Sequence, residues 1–453
     1  MIVMKFGGTS VADATAMKTV LSIVRKYSAE PLIVVLSACS GITNKILKAM
    51  EISAAGDKNK ALDIYREIEI HHLNLINELI DKKKYKEEAL KPVKKLLDDL
   101  KNFIEAANLL GELTDRTSDS AVANGELLST NIFEAACRCY GIESVFLDIR
   151  NIICTDSAFG SASVDFDETS IAAKETISPL FGNNKPIITQ GFIASDSFGR
   201  TTTLGRGGSD YSAAIIGWAV DAGEIQIWTD VNGVMSGDPR ILKNACTLPE
   251  MSFTAIRWAS YFGAKVLHPD TIKPALDNNI PVRVLNTFEM ENPGTTILNN
   301  TGMKRATLQS LVLQKKCMLR KFTFPDNIGS KKTESRFQSL IDALESKVYY
   351  QCRAENLEIY LTDVPNHDEE LFLGIDFEAA VENIPVSAIF LIGEMLTGMG
   401  SGELFSKLGT VFEKYPPEAI FSGMSNEFIV TAFRPDDAES ALKALHEIIV
   451  SSF

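Results

Sequence analysis

Lys5-Phe6-Gly7-Gly8-Thr9-Ser10 follows a short apolar run, Ile2-Val3-Met4, and precedes a stretch of helical pattern. Strand, glycine turn and helix start together make an anion site: the glycines let backbone N–H groups turn toward a phosphate, and the helix N-terminus adds partial positive charge. Lys5 supplies a full charge, but it precedes the glycines, the reverse of a Walker A loop, so a P-loop hydrolase is not implied. A second glycine loop, Gly205-Arg206-Gly207-Gly208-Ser209-Asp210, leads into a small, apolar helix start. Its arginine can grip a carboxylate or phosphate through two parallel hydrogen bonds, and its aspartate stands where it can organise lysines or a metal-bound nucleotide. Alone, such a loop is equally well a tight turn; its pairing with the first loop favours binding. A third segment runs from Trp228-Thr229-Asp230 to Asp238-Pro239-Arg240. Ligands of open α/β sheets lie beyond the carboxyl ends of strands. This loop therefore either carries a base and ribose, with Arg240 near the phosphates, or is an ordinary connection with Asx turns. Lys265, one charge in an apolar run, is either a solvated lysine or a second phosphate contact. Glu126, in Asn124-Gly-Glu-Leu-Leu-Ser129, is placed to cap a helix or to meet an ammonium group.

Strands must bring these loops together. Apolar, β-rich segments recur at 2–6, 32–37, 145–149, 186–190, 224–228 and 281–285. Helix-patterned stretches separate them; in 13–27, Met17, Val20, Leu21 and Val24 mark one face. Near-continuous apolar strands alternating with helices predict an α/β domain with a mainly parallel sheet covered on both faces. Residues 57–105, rich in Lys, Glu, Asp and Leu, read as two long amphipathic helices, and 192–204 as a β-hairpin with its turn at Asp196-Ser197-Phe198-Gly199. After Asn292-Pro293-Gly294 the pattern changes. Strands are predicted at 306–314 and 357–362 with a helix at 334–346 between them. There follow strand 386–392, helix 402–414, strands 418–423 and 427–433, and helix 436–451, the order of a small ferredoxin-like module. The expected division is a catalytic domain over 1–295, a first module over 305–380 and a second over 381–453.

Of 453 residues, 45% are hydrophobic and 23% charged, ordinary values for a globular protein. A net charge of −14 speaks against nucleic acid or an anionic membrane as partner, so phosphate binding must come from a local cluster. The seven cysteines are scattered and odd in number, which suits reduced thiols. No signal-peptide pattern opens the sequence, and a cytoplasmic location is expected. No protein-held metal is expected either: Cys137 and Cys139 lack zinc-ligand spacing, and the adjacent His71 and His72 face different ways on a helix.

Taken in order, Lys5–Ser10, Asn124–Ser129, Thr203–Ser212, Trp228–Val231, Asp238–Arg240 and Phe262–Pro269 resemble the motifs of aspartate kinases, of the amino-acid kinase family. The inserted helices at 57–105 also look like those of the monofunctional enzymes. The resemblance implies a three-layer αβα domain followed by two α+β ferredoxin-like ACT modules. The match is fair for 386–450 and poor for 315–356. It implies ATP-dependent phosphorylation of the L-aspartate β-carboxylate, the entry to lysine, threonine and methionine synthesis, with Mg²⁺ arriving on ATP. Carried over by position, Lys5 and Lys265 contact the phosphates and the transferring group, and Asp210 orients the lysines. Glu126 meets the substrate ammonium and Arg206 its α-carboxylate, assisted by Ser37, Thr43 and Ser209. Gly7, Gly8, Thr9, Ser10, Thr229, Asp230 and Arg240, with Lys265, hold the nucleotide. It also implies a homodimer or higher homo-oligomer, and an amino-acid effector, lysine or threonine, at the ACT modules. Where many relatives place an aromatic residue in the nucleotide loop, this chain has Met235.

Overall fold

The computed structural model describes all residues except 184, 265–266, 304, 324–346, 355–356, 364–379, 398–399, 424 and 452–453. The chain divides into two units: residues 1–234 with 266–299, and residues 235–265 with 300–453.

In chain order the first unit carries β1 (Ile2–Phe6), α1 (Ala14–Tyr27), β2 (Leu32–Leu36), α2 (Ile42–Ala54), α3 (Lys58–Leu79), α4 (Lys83–Leu110) and α5 (Asp115–Cys139). Then come β3 (Val145–Phe146), β4 (Cys154–Thr155), α6 (Phe166–Thr176), β5 (Ile187–Gln190), β6 (Ile193–Asp196), β7 (Thr201–Thr203), α7 (Gly208–Ala219) and β8 (Glu224–Thr229). The second unit takes β9 (Glu250–Ser252) and α8 (Phe253–Tyr261) before the chain returns to the first for α9 (Lys273–Asp277), β10 (Val282–Asn286) and β11 (Thr295–Leu298).

The main sheet of the first unit runs β3-β5-β2-β1-β8-β10-β11. Its strands are parallel except for the β10–β11 pair. β1 lies at its middle, flanked by β2 (Phe6 opposite Leu36) and β8 (Phe6 opposite Trp228). Alternation along β1 sends Met4 and Phe6 to one face and Val3 and Lys5 to the other. Met4 and Phe6 join a core built with Met17, Val20, Leu21 and Val24 of α1 and with residues of α2 to α5. On the other face, α7 packs on β1 and β8 so closely that a Cβ on Gly217 would lie 2.5 Å from Ile225 Cδ1. Burying hydrophobic surface on both faces explains why the strands read as continuous apolar runs.

α1 begins at Asp13, whose carboxylate accepts the Ala16 N–H at 2.9 Å, a side-chain N-cap. The Lys- and Glu-rich stretch forms α3 and α4, joined by residues 80–82. The hairpin is β6–β7, closed by an Asp196 carboxylate that accepts the Phe198 and Arg200 N–H groups. β3 is shorter than the predicted 145–149, because Asp148 turns inward to accept the Arg150 N–H and starts a single 3₁₀ turn over Ile149–Asn151.

In the second unit β12 (Thr307–Thr323), β13 (Val348–Ala354), β14 (Leu357–Asp363), β15 (Ala380–Glu394), β16 (Ala419–Phe421) and β17 (Phe428–Phe433) make one sheet in the order β13-β14-β12-β15-β17-β16, every pair antiparallel. The strands expected in two modules thus share one sheet, held by the long β12–β15 pairing. The 334–346 helix expectation falls outside the described residues. α10 (Gly402–Lys414) and α11 (Pro435–Val450) bury Leu404, Leu408, Leu442, Leu445 and Ile449 with Leu391, Ile429 and Phe433 of the sheet. From α8 and the turn after it, Trp258 and Phe262 pack on Phe390 and Phe428, with Phe262 stacked on Phe390 at 4.0 Å. This explains why residues 235–265, inside the first domain by sequence order, group with the C-terminal sheet. Phe262→Ala should open a cavity there and cost about 3–5 kcal/mol, read as a lower urea midpoint. A change below about 1 kcal/mol would mean that the ring packs loosely.

Candidate active site

Parallel strands in register end at one edge, and the backbone continues the ladder past them. Gly7 N–H donates to Trp228 O (3.1 Å), Ser37 N–H to Phe6 O (3.2 Å), Gly191 N–H to Leu36 O (2.8 Å) and Ser40 N–H to Gly8 O (3.0 Å). The loops after β1, β2, β5 and β8 are therefore tied to one another where the strands stop. They surround a cavity of about 630 Å³, within the size range of ordinary ligand sites.

Lys5 reaches this cavity from the α7 face of β1. Its Nζ lies 2.7 Å from Asp210 Oδ1, with the two side chains only 12% and 16% exposed. Asp210 stands in the first turn of α7, whose N-cap Gly207 adopts the left-handed conformation (φ 73°). Glycine is required there twice over, since a Cβ would also lie 2.8 Å from Thr271 Cγ2. At Gly7 a Cβ would lie 3.5 Å from Lys5 Nζ, an ordinary contact distance. Gly191 leaves room for Ser209, which a Cβ would meet at 2.7 Å.

α5 forms another wall. Glu126 is 3% exposed; its Oε1 accepts the Ala38 N–H at 3.3 Å, and its Oε2 has no hydrogen-bond partner among the described residues. Burial pushes this carboxyl up to about 8. Ser129, one turn on, is within donating distance of Ser37 O (2.7 Å) and Glu126 O (3.1 Å). Gly125 permits the close approach, since a Cβ there would lie 3.0 Å from Ala38 Cβ. The motif Asn124–Ser129 thus pins the loop after β2 and leaves one carboxylate oxygen of a cavity-lining residue unsatisfied.

Lys5, Gly7, Gly8, Thr9, Ser37, Thr43, Glu126, Arg206, Ser209, Asp210, Thr229 and Asp230 all line the cavity. Arg206 is exposed, without an ion pair among the described residues. Ser10 does not line it: fully buried, its hydroxyl is 2.7 Å from Thr287 Oγ1 and serves the fold. Arg240 belongs to the second unit, where Asp238 holds its guanidinium at 2.6 Å. Lys265 lies outside the described residues.

Sequence reasoning missed Asp119, Phe192 and Asn44. The Asp119 carboxylate accepts the N–H groups of Gly160 (2.9 Å) and Thr203 (3.0 Å) and the Thr203 hydroxyl (2.8 Å), fixing the chain two residues before Gly205. Phe192 takes a positive φ of 68° and puts its ring where a Cβ on Gly208 would be. Phe192 and Asn44 line the cavity. No local signal marks Asp119 or Phe192, because each acts through a contact distant in sequence.

The profile of the family described as "Amino acid kinase family" matches residues 1–286. The chain is 37% identical over 300 residues to the lysine-sensitive aspartokinase 3 of Escherichia coli (strain K12), a match covering 66% of this chain and 64% of that protein's length. It is 31% identical over 461 residues to the chloroplastic aspartokinase 3 of Arabidopsis thaliana, covering 98% and 80%. Among solved structures it is similar to E. coli aspartokinase III in complex with lysine and aspartate (T-state; TM-score 0.84, 29% identity, 99% of both chains). It is also similar to that protein with aspartate and ADP (R-state; TM-score 0.75, 29% identity, 99% of this chain and 100% of that one). The chain belongs to the amino acid kinase family and, within it, to the aspartokinases.

Proposed function

We propose that the cavity transfers the terminal phosphoryl group of ATP to the side-chain carboxylate of L-aspartate, giving 4-phospho-L-aspartate for the synthesis of lysine, threonine and methionine. The observation that carries this reading is one cavity with a lysine–aspartate pair on one side and a buried, unsatisfied carboxylate oxygen on the other. A carboxylate nucleophile is already ionised at neutral pH, so no general base is needed. One of its oxygens forms a bond to the γ-phosphorus as the bond to the bridging oxygen breaks and ADP departs. Such a reaction depends on positioning and on neutralising phosphate charge. In this reading Lys5, held by Asp210, supplies charge at the transferring group, and the amides of Gly8 and Thr9 donate to phosphate oxygens, while Gly7, whose N–H is spent on Trp228 O, shapes the turn. Thr229 and Asp230 hold the nucleotide. Glu126 receives the substrate ammonium and Arg206 its α-carboxylate, with Ser37, Thr43 and Ser209 beside them. Mg²⁺ arrives on ATP, as expected of a strongly hydrated ion shared with phosphates. Lys265 and Arg240 remain candidates for the nucleotide phosphates.

We further propose that residues 305–453 are two ACT modules that take an amino-acid effector, lysine or threonine, and join subunits of a cytoplasmic homo-oligomer. Edge strands β13 and β16 support this, since unpaired edges are open to pairing with another chain.

With ATP, Mg²⁺, L-aspartate and hydroxylamine, the chain should yield aspartyl hydroxamate, and Asp210→Ala should lower the rate about 100-fold or more. Hydroxamate no higher in the parent than in Asp210→Ala would overturn the reading. Glu126 gives a pH test. Its raised value means that the empty site holds a proton that must leave before an ammonium group can pair. L-Aspartate affinity should therefore rise by up to about tenfold per unit from about pH 6 to the folded value of about 8, then level off. Glu126→Gln should bind about 10- to 100-fold more weakly near pH 8 and lose that slope. An unchanged slope in the variant would remove Glu126 from this role.

A further inference from the structure

We propose that Cys39, His71 and His72 form a binding site for a thiophilic divalent transition metal, zinc above all, behind the substrate-side loop of the cavity. Cys39 lies between Ala38 and Ser40 in the loop after β2, and the two histidines lie on α3. Their donor atoms, the Cys39 sulfur and one nitrogen from each ring, lie within 4.8 Å of one another. Around a tetrahedral zinc, with Zn–S about 2.3 Å and Zn–N about 2.0–2.1 Å, donors sit about 3.4–3.6 Å apart. Side-chain rotations of about 1 Å would close the difference.

The hydrogen bonding of His72 is that of a metal ligand. Its Nδ1 is 2.7 Å from Ile68 O, and a carbonyl only accepts, so Nδ1 carries the proton and the lone pair is on Nε2. Ligand histidines characteristically give their other N–H to a carbonyl or carboxylate in this way, which fixes tautomer and ring orientation. His72 is fully buried, and its Nε2 has no partner among the described residues; the same holds for Nε2 of the half-buried His71. Buried polar atoms left unpaired cost about 1–3 kcal/mol each, and a cation would satisfy both rings at once. Burial disfavours the charged form of both imidazoles, which suits neutral ligands, and pushes the Cys39 thiol up to about 12, so the metal itself must displace that proton. The rings stand edge to face with centroids 5.0 Å apart, so they converge rather than splay as adjacent helical residues usually do. The charges facing the cluster are Asp13 and Glu78 against Lys45, which is itself paired with Glu67 at 2.7 Å; Glu126, also nearby, is protonated until its raised value is passed.

One thiolate and two imidazoles suit zinc and leave a fourth position for water. On binding, the Cys39 S–H bond breaks, its proton goes to solvent and a metal–sulfur bond forms. The ion would then join α3 to the loop that carries Ser37 and Ala38, stiffening one wall of the cavity.

Co²⁺ is the probe, titrated into the reduced, metal-free full chain. One equivalent should produce a thiolate-to-cobalt charge-transfer band and strong tetrahedral d–d absorption, both abolished by Zn²⁺, which should also raise the melting temperature. Cys39→Ser should remove the charge-transfer band, and His71→Gln should weaken binding by more than the about 10- to 100-fold that changes around a metal's ligands cost. Metal-free circular dichroism and melting check that the variants fold. Should Cys39→Ser fail to fold, His71→Gln, half-buried, carries the test alone. No charge-transfer band at one equivalent, or bands and affinity unaltered in the folded variants, would overturn the proposal.

Discussion

A lysine at the carboxyl end of a central strand must find an anion or give up its charge, and here the anion comes from the helix packed on that strand. The Lys5–Asp210 pair, 2.7 Å apart, is the contact on which the rest of the cavity depends. Charges this shielded lose much of their hydration, and a lone one would be costly. The pair offsets that loss while keeping the ammonium group at the cavity wall, and it locks the first turn of α7 against β1. Because α7 opens with Gly207 and Gly208, the same contact sets where the Arg206–Ser209 backbone can stand.

The other walls follow from sheet geometry. Parallel neighbours of β1 end level with it, so hydrogen bonds from Gly7, Ser37 and Gly191 carry the ladder one residue beyond the strands and fix the loops in common register. α5 then closes the side through Glu126, Ser129 and Asp119: all three hold backbone in place, and Glu126 keeps one oxygen unsatisfied. Burial makes Glu126 reluctant to ionise, which is tolerable in a group whose partner is a cationic substrate.

Much of this was legible in the sequence, for physical reasons. Strands buried on both faces must be largely apolar, so β1, β2, β5, β8 and β10 announced themselves. Glycine loops with a lysine, an arginine and an aspartate marked the strand ends, and most of the residues expected at the site do line the cavity. What escaped depends on contacts distant in sequence. Ser10 looked like a phosphate ligand but bonds Thr287, which strand β10 delivers beside it. Residues 235–265 follow the first unit in sequence yet belong to the second, because Trp258 and Phe262 have aromatic partners on β15 and β17. The approach of Cys39 to two helical histidines has no expression in spacing at all.

A double-mutant cycle on Lys5 and Asp210 tests the central claim most directly. If Asp210 works chiefly by holding Lys5, Lys5→Met lowers kcat about 100-fold or more, and Asp210→Asn added to it lowers kcat little further. Losses that multiply, with the double variant reduced by the product of the two single effects, would mean that the residues act independently and would contradict the account.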